Sequence, residues 1–328
     1  TSVDVCRVQP VVRNPPQDFA LARREALTLI WRDILNQRLV QSRQVAANQM
    51  LGAQVELVSD ERNASMACLS VKPTNEAWAP ALAAGQAELR RFEAEAPTEL
   101  EVERAIESVR SHLRAAVGGA ESRSATSLAD AIVESLLDGT VFVAPRETMR
   151  VYNLSVEDVT AADVHAAFKA DWAGAGPLIS VVAPKVPDAA EVRLAWSNPA
   201  TTAAAPRVGA VKASAWGYGA ATAGAVAARE TVAAGGFVRI RFRNGVVLNF
   251  KRTAFSQSKA VFVAQFGAGR RQISERDLLT VTIGGPTMPF GGLGKHTYDE
   301  IVQLMGVEIR DLGPRIGTDG FAIIADEP

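Results

Sequence analysis

The sequence predicts an α+β protein in which an antiparallel sheet is covered by helices on one face. Strand signals come first, several amphipathic helices follow, and a further apolar strand closes this first region. A stretch rich in Ala, Gly, Thr, Ser and Pro then precedes a second region with an Asn-Gly hairpin signal. The 328 residues suffice for about two domains. We therefore expect a first unit over 1–185, an Ala/Gly-rich linker over 186–235 and a shorter second unit over 236–328.

The first region opens with a strand, a long helix and a hairpin. Residues 3–12 alternate loosely between apolar and polar, and Asp18 can cap the helix that follows. The β-prone runs 53–59 and 64–71 flank the polar turn DERN and predict a hairpin. Apolar residues recur along the long helix at intervals of three and four: Leu27, Ile30, Trp31, Ile34, Leu35 and Leu39.

Two helices are predicted after the hairpin. The first is expected to open at Thr74 or Asn75, where a short polar side chain can cap the first turn. The second begins at a capping box in which Thr98 pairs with Glu101, and its apolar positions continue to Gly118.

Two more helices and a strand complete the first region. A helix over 126–137 is predicted to stop at Gly139, and another begins at Thr160 and ends near Gly174. The run LISVVA, residues 178–183, is bounded by prolines and predicts a buried strand.

The second region carries the clearest turn signal in the chain. VRIRFRNGVVLNFKR places two alternating runs around Asn244 and Gly245, which predicts a hairpin. A strand over 261–266, a helix over 274–281 and a last strand over 320–325 follow. Because this unit is short and its sheet would lack covering helices, we expect it either to expose an apolar face or to make compensating contacts with the first unit.

The composition excludes two classes of partner. Basic and acidic residues number 35 and 36, so the net charge is −1 and nothing favours nucleic acid or an anionic membrane surface. The sequence has no run of about eighteen apolar residues. We therefore expect no nucleic-acid partner and no membrane span.

The two cysteines are too few for a disulfide framework or a four-thiolate metal site. Cys6 and Cys68 could pair, but the interpretation favoured from sequence is two buried thiols. The sequence contains no G-x-S-x-G motif, and neither cysteine has a histidine near it along the chain. No nucleophile, base and acid set is therefore predicted.

The run GGPTMPFGGLGKHTYDE, which starts at residue 284, poses the main functional question. A phosphate-binding loop needs G-x-x-x-x-G-K-[ST], but Pro289 stands at the first glycine position and His296 at the hydroxyl position. A metal site would combine His296 with Glu300 and Asp299, which is too few ligands without a second histidine. The sequence favours a solvated helix start with Thr297 or His296 near the cap.

The other two histidines have structural interpretations. His112 lies between Arg110 and Arg114 on a predicted helix, which favours a solvated face. His165 lies beside Val164 on a short helix and is expected to be partly packed.

The order of these segments is itself informative. The first unit contains, in this order, RREALTLIWRDILNQRL, LGAQVELVS, a hairpin, TELEVERAIESVRSHL, LSVEDVTAADVHAAF and LISVVAP. The linker is followed by FRNGVVLNFKRTAFSQSKAVFVAQFGAG. This order resembles the second domain, and then the start of the next homologous domain, of the pitrilysin, insulinase and mitochondrial processing peptidase family of zinc metallopeptidases. The resemblance covers nearly the whole chain, and it implies two units of homologous type, the second of them truncated.

The resemblance also implies where catalysis should lie. The family's zinc site uses an inverted H-x-x-E-H motif, in which two histidines one helical turn apart bind the metal and the glutamate activates its water. Here no two of the three histidines lie within five residues, and ISERDLLTVTIGGP occupies the place after Gly267 where the motif would stand. We therefore expect a catalytic domain before Thr1. The opening TSVDVCRVQP, without an initiator Met, is consistent with a piece of a longer protein.

The resemblance gives the glycine-rich run a third interpretation. Non-catalytic halves of the family carry a glycine-rich loop that handles substrate peptide, and glycines allow a backbone to approach an extended chain closely. A plain connecting loop is an equally good interpretation. The implied contact residues are Gly284, Gly285, Gly291, Gly292, Gly294 and Lys295.

The function implied is that of one part of a zinc-dependent metalloendopeptidase. This part would form chamber wall and substrate-binding surface, bind no zinc itself and be inactive alone, with zinc held by the parent protein. Its partners would be a peptide or unfolded protein substrate and the missing catalytic domain of the same chain. The alternative is a non-catalytic scaffold or partner subunit of the same family. Similar two-half bacterial enzymes favour the periplasm or cell envelope.

Overall fold

The computed structural model contains two compact units. One comprises Thr1–Val117 with Ala125–Ala210, and the other Gly118–Ser124 with Val211–Pro328. Both combine helices with antiparallel strands, so the α+β prediction is confirmed. The structure describes all residues except 12–14, 44–47, 61–63, 198–216, 219–221, 254–259, 288–290, 298–299, 302–313 and 328.

The predicted elements occur in the predicted order, together with others that were not predicted. Along the first unit they are β1 (Ser2–Pro10), α1 (Phe19–Ser42), β2 (Met50–Asp60), β3 (Ala64–Pro73), α2 (Trp78–Ala94), α3 (Glu99–Gly118), α4 (Ala125–Asp138), α5 (Pro145–Ser155), α6 (Ala161–Asp171), β4 (Ala175–Val182) and α7 (Ala189–Ser197). The second unit continues with β5 (Val226–Val232), β6 (Phe237–Phe242), β7 (Val247–Phe250), β8 (Ala260–Phe266), α8 (Glu275–Thr287), β9 (Pro314–Ile316) and β10 (Phe321–Glu327). Of these elements, α5, α7, β5 and β9 were not predicted.

The first unit is built on a four-stranded antiparallel sheet in the order β2-β3-β1-β4. Val3 and Val5 of β1 are fully buried, as are Leu69 and Val71 of the adjacent β3. The intervening side chains of β1 are less buried, which is the alternation of a sheet covered on one face. The helices therefore lie on the face to which these valines point.

The long helix α1 supplies most of the helical layer. Its N-terminus is capped as predicted, because the Asp18 carboxylate accepts a hydrogen bond from the Leu21 amide at 2.9 Å. Trp31 packs edge to face on Phe168 of α6 with the ring centroids 5.3 Å apart, and its Nε1 donates to the buried Asp171 carboxylate at 2.9 Å. Of the six apolar positions predicted, five are buried and Leu27 packs against their cluster: Ile30, Trp31, Ile34, Leu35 and Leu39 form the buried set.

The predicted helix starts at Thr98 and Thr160 both carry a capping box. The Thr98 amide donates to the Glu101 carboxylate at 2.7 Å and the Glu101 amide donates to the Thr98 hydroxyl at 3.3 Å. Thr160 and Asp163 form the same reciprocal box at the start of α6. Local sequence alone therefore defines where α3 and α6 begin.

Three predictions about the first unit are wrong in detail. α2 begins at Trp78 rather than at Thr74 or Asn75, because Asn75 has a φ of 54° and belongs to the turn that ends β3. α5, which the sequence analysis missed, starts with Pro145 in its first turn, where proline is favoured. β4 is an edge strand rather than a buried one, with Leu178 59% exposed.

The predicted linker 186–235 contains regular structure at both ends. α7 belongs to the first unit, because the Trp196 carbonyl accepts a hydrogen bond from the buried Gln86 of α2 at 2.6 Å. β5 pairs with β6 in the second unit. Residues 198–216 and 219–221 between them lie outside the described part of the chain. The predicted domain boundaries stay a prediction.

The interpretation of Cys6 and Cys68 as two free buried thiols is wrong, because they form a disulfide. The physical reason is the register of the sheet: Cys6 of β1 lies directly opposite Cys68 of β3, with the Cα atoms 4.1 Å apart. Register between strands separated by 62 residues cannot be read from local sequence. The bond joins the two central strands covalently.

We expect the disulfide to stabilise the first unit substantially. Closing a loop of 62 residues restricts the unfolded chain, and the chain-entropy model gives about 4 kcal/mol for a loop of this order. Replacing both cysteines, Cys6→Ser with Cys68→Ser, should lower the free energy of unfolding by that amount, measured from the midpoint and slope of urea titrations. A thiol assay on the oxidised chain in denaturant should detect no free thiol, and detection of two would contradict the pairing.

A buried ion pair links α1 to α3. Arg38 is 5% exposed, and its Nε and one terminal nitrogen donate to the two carboxylate oxygens of Glu101 at 2.8 and 2.9 Å. The guanidinium also lies over the Phe92 ring, 4.8 Å from its centroid. Burial raises the pKa of Glu101, but hydrogen bonds from Arg38 and Thr98 and the Arg38 charge outweigh it and lower the pKa to about 2.

The ion pair between Arg38 and Glu101 should make the stability of the first unit depend on pH. A carboxyl with a folded pKa of about 2, below its ordinary 4.5, adds stability above pH 4.5 that is lost as the pH falls towards 2. We expect the free energy of unfolding to fall by roughly 2 kcal/mol across that window through this group alone. Glu101→Gln should remove this component of the pH dependence in denaturant titrations at a series of pH values. An unchanged slope would contradict the assignment.

The second unit has two three-stranded antiparallel sheets, in the orders β5-β6-β7 and β8-β10-β9. The predicted hairpin is confirmed: β6 and β7 flank Asn244 and Gly245, and Gly245 has the left-handed φ of 87° that this turn requires. The expected exposed apolar surface is also present, since Val261, Phe262 and Val263 of β8 are 59–62% exposed.

Within the described ranges, no helix combines the length and the apolar character that crossing a membrane requires.

Candidate functional site

The six residues predicted to form one glycine-rich loop lie in two different structures. Gly284 and Gly285 are in the last turns of α8, which extends to Thr287 and not only to residue 281 as predicted. Gly291, Gly292, Gly294 and Lys295 lie beyond residues 288–290, which are outside the described part of the chain. For the first two glycines, the expectation of a loop is therefore wrong.

Gly291 to His296 form a tight turn, which we call the glycine turn. The Leu293 amide donates to the His296 carbonyl at 2.8 Å, and the His296 amide donates back to the Leu293 carbonyl at 3.0 Å. Gly294 and Lys295 are the two corner residues between these paired positions. The run thus closes on itself through its own backbone.

Two glycines of this turn are required by its geometry. Gly292 and Gly294 have φ values of 80° and 51°, in the region that side chains rarely adopt. A Cβ atom on Gly292 would collide with the His296 carbonyl, and one on Gly294 with the Tyr218 hydroxyl. Gly291 has open space around it instead. Gly291 is therefore the position whose backbone another chain could approach.

Tyr218 holds the glycine turn from outside it. Its hydroxyl donates to the Leu293 carbonyl at 2.8 Å and accepts from the Lys295 amide, also at 2.8 Å. The Lys295 ammonium donates to the Gly217 carbonyl at 3.0 Å and lies 5.4 Å from the centre of the Tyr218 ring. The amide and the ammonium that a phosphate-binding loop would direct at a phosphate are thus both engaged by protein groups.

His296 is buried, with 8% of its surface exposed, so the prediction of a solvated histidine is wrong. Its ring packs edge to face on Tyr218 with centroids 5.9 Å apart, and Nδ1 is 3.8 Å from the Glu300 carboxylate. The predicted cap is Thr297, whose amide donates to Glu300 at 2.8 Å while its hydroxyl accepts from the Glu300 amide. That Thr297 amide, chiefly, lowers the pKa of Glu300.

The described residues hold no group of three or more His, Cys, Asp or Glu side chains placed to bind a metal ion. Asp299, the third ligand considered, lies outside the described residues. The other histidines serve structure: His112 is exposed with Nδ1 2.9 Å from the Ser108 carbonyl, and the half-buried His165 packs on Phe92.

The segment that stands where the inverted zinc motif would lie forms α8. Its first turn is capped by Ser274, whose hydroxyl accepts from the Asp277 amide at 3.2 Å. The helix carries no histidine, and Leu279 and Ile283 are 69% and 62% exposed on it. The segment is therefore helical, as a zinc-binding helix would be, but it carries no histidine.

Known structures share the fold of this chain. The periplasmic protease PqqL from Escherichia coli matches over 99% of this chain and 36% of its own length, with a TM-score of 0.56 and 14% identity. The ferredoxin protease FusC, in complex with Arabidopsis ferredoxin, matches over 100% of this chain and 37% of its own length, with a TM-score of 0.57 and 12% identity. The chain has the fold of these proteases. The predicted resemblance to insulinase-type peptidases is thus confirmed for the fold.

This chain spans little more than a third of the length of PqqL or FusC. No family model matches its sequence, and no curated protein matches it by sequence. The similarity is therefore one of three-dimensional arrangement, detected at identities of 12–14%.

Sequence analysis missed Tyr218, the residue that organises the glycine turn. It lies in the Ala/Gly-rich stretch interpreted as linker, 77 residues from Lys295. An aromatic residue among small ones was the available signal, but nothing local to it indicates its partner.

The glycine turn should tolerate substitution unequally. Gly294→Ala and Gly292→Ala force a side chain into a left-handed backbone and a collision, so each should destabilise the turn by about 1 kcal/mol or more. Gly291→Ala is the matched control and should be neutral. Hydrogen exchange of the Lys295 amide, which is bonded to Tyr218, reports the effect. Equal protection in all three variants would contradict this account.

Proposed function

We propose that this chain is a non-catalytic part of a zinc-dependent metalloendopeptidase of the insulinase type. One observation carries the proposal: nearly the whole chain has the fold of two proteases, yet α8, at the position of the zinc motif, has no histidine. A peptidase of this kind needs its metal-binding helix to activate water. The peptide-bond hydrolysis would therefore take place on another domain of the longer protein.

In this proposal the chain contributes chamber wall and substrate-binding surface. The exposed apolar strand β8 lies at the end of its sheet, and extended peptides bind such strands through main-chain hydrogen bonds. FusC provides a parallel, since it was solved with ferredoxin, a protein, bound. We infer that the substrate is a peptide or an unfolded protein, because only an extended chain can pair along a strand.

The glycine turn would provide a second contact with substrate. Of the six residues predicted, Gly291 and Gly284 have open space at their Cα atoms, so a substrate backbone can approach them. Gly292 and Gly294 would serve by shaping the turn, and Lys295 by locking it onto Tyr218. Gly285 would act with Gly284 at the end of α8.

The remaining parts would be supplied by the parent protein. Zinc would be bound by the catalytic domain of the same chain and not by these residues. A periplasmic or envelope location is supported by the disulfide, since such bonds persist in oxidising compartments, and by the periplasmic location of PqqL.

A scaffold or partner subunit of the same family is the second candidate. The observation that favours it is the same histidine-free α8, because a parent without the motif would be inactive throughout. The coding sequence upstream of Thr1 separates the two candidates. An H-x-x-E-H motif followed by a distant glutamate supports the peptidase, and a homologous domain with those residues replaced supports the scaffold.

The activity itself can be tested on the parent protein and on this chain. We expect the parent to cleave an unfolded casein substrate and to lose that activity with a zinc chelator, while this chain alone cleaves nothing and retains no zinc by elemental analysis. In the parent, Gly291→Val should raise KM for casein several-fold and leave the cleavage of a short fluorogenic peptide unchanged, because only the long substrate reaches the turn.

Leu194→Ser, which alters an exposed position on α7, is the control. It should change neither the KM for casein nor the cleavage of the short peptide. A parent that is active in the presence of chelator would refute the zinc peptidase. An unchanged KM for casein in Gly291→Val would refute only the role of the glycine turn.

A further inference from the structure

α4 has an amphipathic sequence. Apolar residues recur at intervals of three and four, the spacing of one helical face, through ADAIVESLLD. On a surface helix this face normally points into the protein. The members of the stripe are Ala129, Ile132, Val133, Leu136 and Leu137.

The structure places this stripe on the outside. Leu136 and Leu137 are 75% and 70% exposed, and Val133 is 52% exposed. The half-buried residues of the helix are Leu128, Ala131 and Ser135, which lie on its other side. The large apolar residues of the stripe are therefore turned towards solvent.

Further exposed apolar residues follow the helix along the chain. Val141 is 68% exposed, and Phe142 and Val143 are 40% and 39% exposed. Isolated exposed apolar residues are normal, but several on one helical face, as on α4, are typical of an interaction site. We call it the α4 surface, and it consists of Ile132, Val133, Leu136, Leu137, Val141, Phe142 and Val143.

The charged residues of α4 itself are acidic. The helix contains three acidic side chains and no Lys or Arg, and the nearest basic residues along the chain are Arg123 and Arg146. Asp130 and Glu134 are one turn apart, and at 100° per residue both lie directly beside the apolar stripe, on the same side of it. Both are exposed. The surface is thus an apolar stripe with an acidic border.

We propose that the α4 surface docks an amphipathic polypeptide helix whose apolar stripe is bordered by Lys or Arg. The apolar stripe of such a partner would cover the exposed leucines, and its basic border would lie against Asp130 and Glu134. This inference does not depend on the proposed peptidase function, because it rests on α4 and residues 139–144 alone.

Charge distinguishes this partner from two others. A second copy docked through the same surface would bring a further acidic border, and like charges across an interface disfavour association. An anionic bilayer attracts basic helices and repels acidic ones. A basic amphipathic helix satisfies both the apolar stripe and its border.

The test uses the whole chain and two labelled peptides. One is an amphipathic helix of Leu, Ala and Lys, and the other has Glu in place of each Lys. Fluorescence anisotropy should show tighter binding of the Lys peptide, weakening as salt rises. Leu136→Asp with Leu137→Asp should weaken it at least about tenfold, as expected when apolar residues at the centre of an interface are lost. Asp130→Lys with Glu134→Lys should reverse the preference between the peptides.

The control is Leu194→Asp, a change of the same chemistry at a leucine that is 64% exposed on another helix, α7. It should leave binding unchanged, and circular dichroism should be the same for all variants. Equal binding of the two peptides, or no effect of the Leu136 and Leu137 changes, would overturn the proposal. So would dimerisation of the chain, or its binding to anionic vesicles, if either is abolished by those same changes.

Discussion

The antiparallel register between β1 and β3 is the constraint on which the first unit depends. β1 lies between β3 and β4, and its register sends Val3 and Val5 to the face covered by helices. A slip of one residue would turn both valines to the opposite face, because side chains alternate along a strand. The Cys6–Cys68 bond fixes this register covalently, so the placement of α1 and α2 on the sheet is fixed with it.

The two units differ in how completely they bury their apolar surface. The first encloses Trp31, Phe92 and Phe168 in a core with edge-to-face ring packing. The second leaves the strand β8 exposed. Its glycine turn is held instead by individual hydrogen bonds to the Tyr218 hydroxyl.

The sequence predicted features set by near neighbours and missed those set by distant ones. The capping boxes at Thr98 and Thr160 and the Asn244-Gly245 hairpin were predictable because every interacting group lies within a few residues. Cys6 pairs with Cys68, which is 62 residues away, and Tyr218 is hydrogen-bonded to Lys295, which is 77 residues away. Both contacts depend on the tertiary fold and not on local sequence. The exposure of the apolar stripe of α4 was unpredictable for the same reason, because amphipathic spacing identifies a face without saying what covers it.

The position of the disulfide within the sheet also affects how the unit would respond to mechanical force. β1 is joined to β3 by a covalent bond and to β4 by hydrogen bonds alone. A pull on the chain beyond α7 would therefore peel β4 from the sheet edge first, while β1 and β3 remain clamped together. Passage of the unit through a narrow pore would stop at the disulfide. The bond closes a loop between residues 62 positions apart, and this loop cannot be straightened until the bond is reduced.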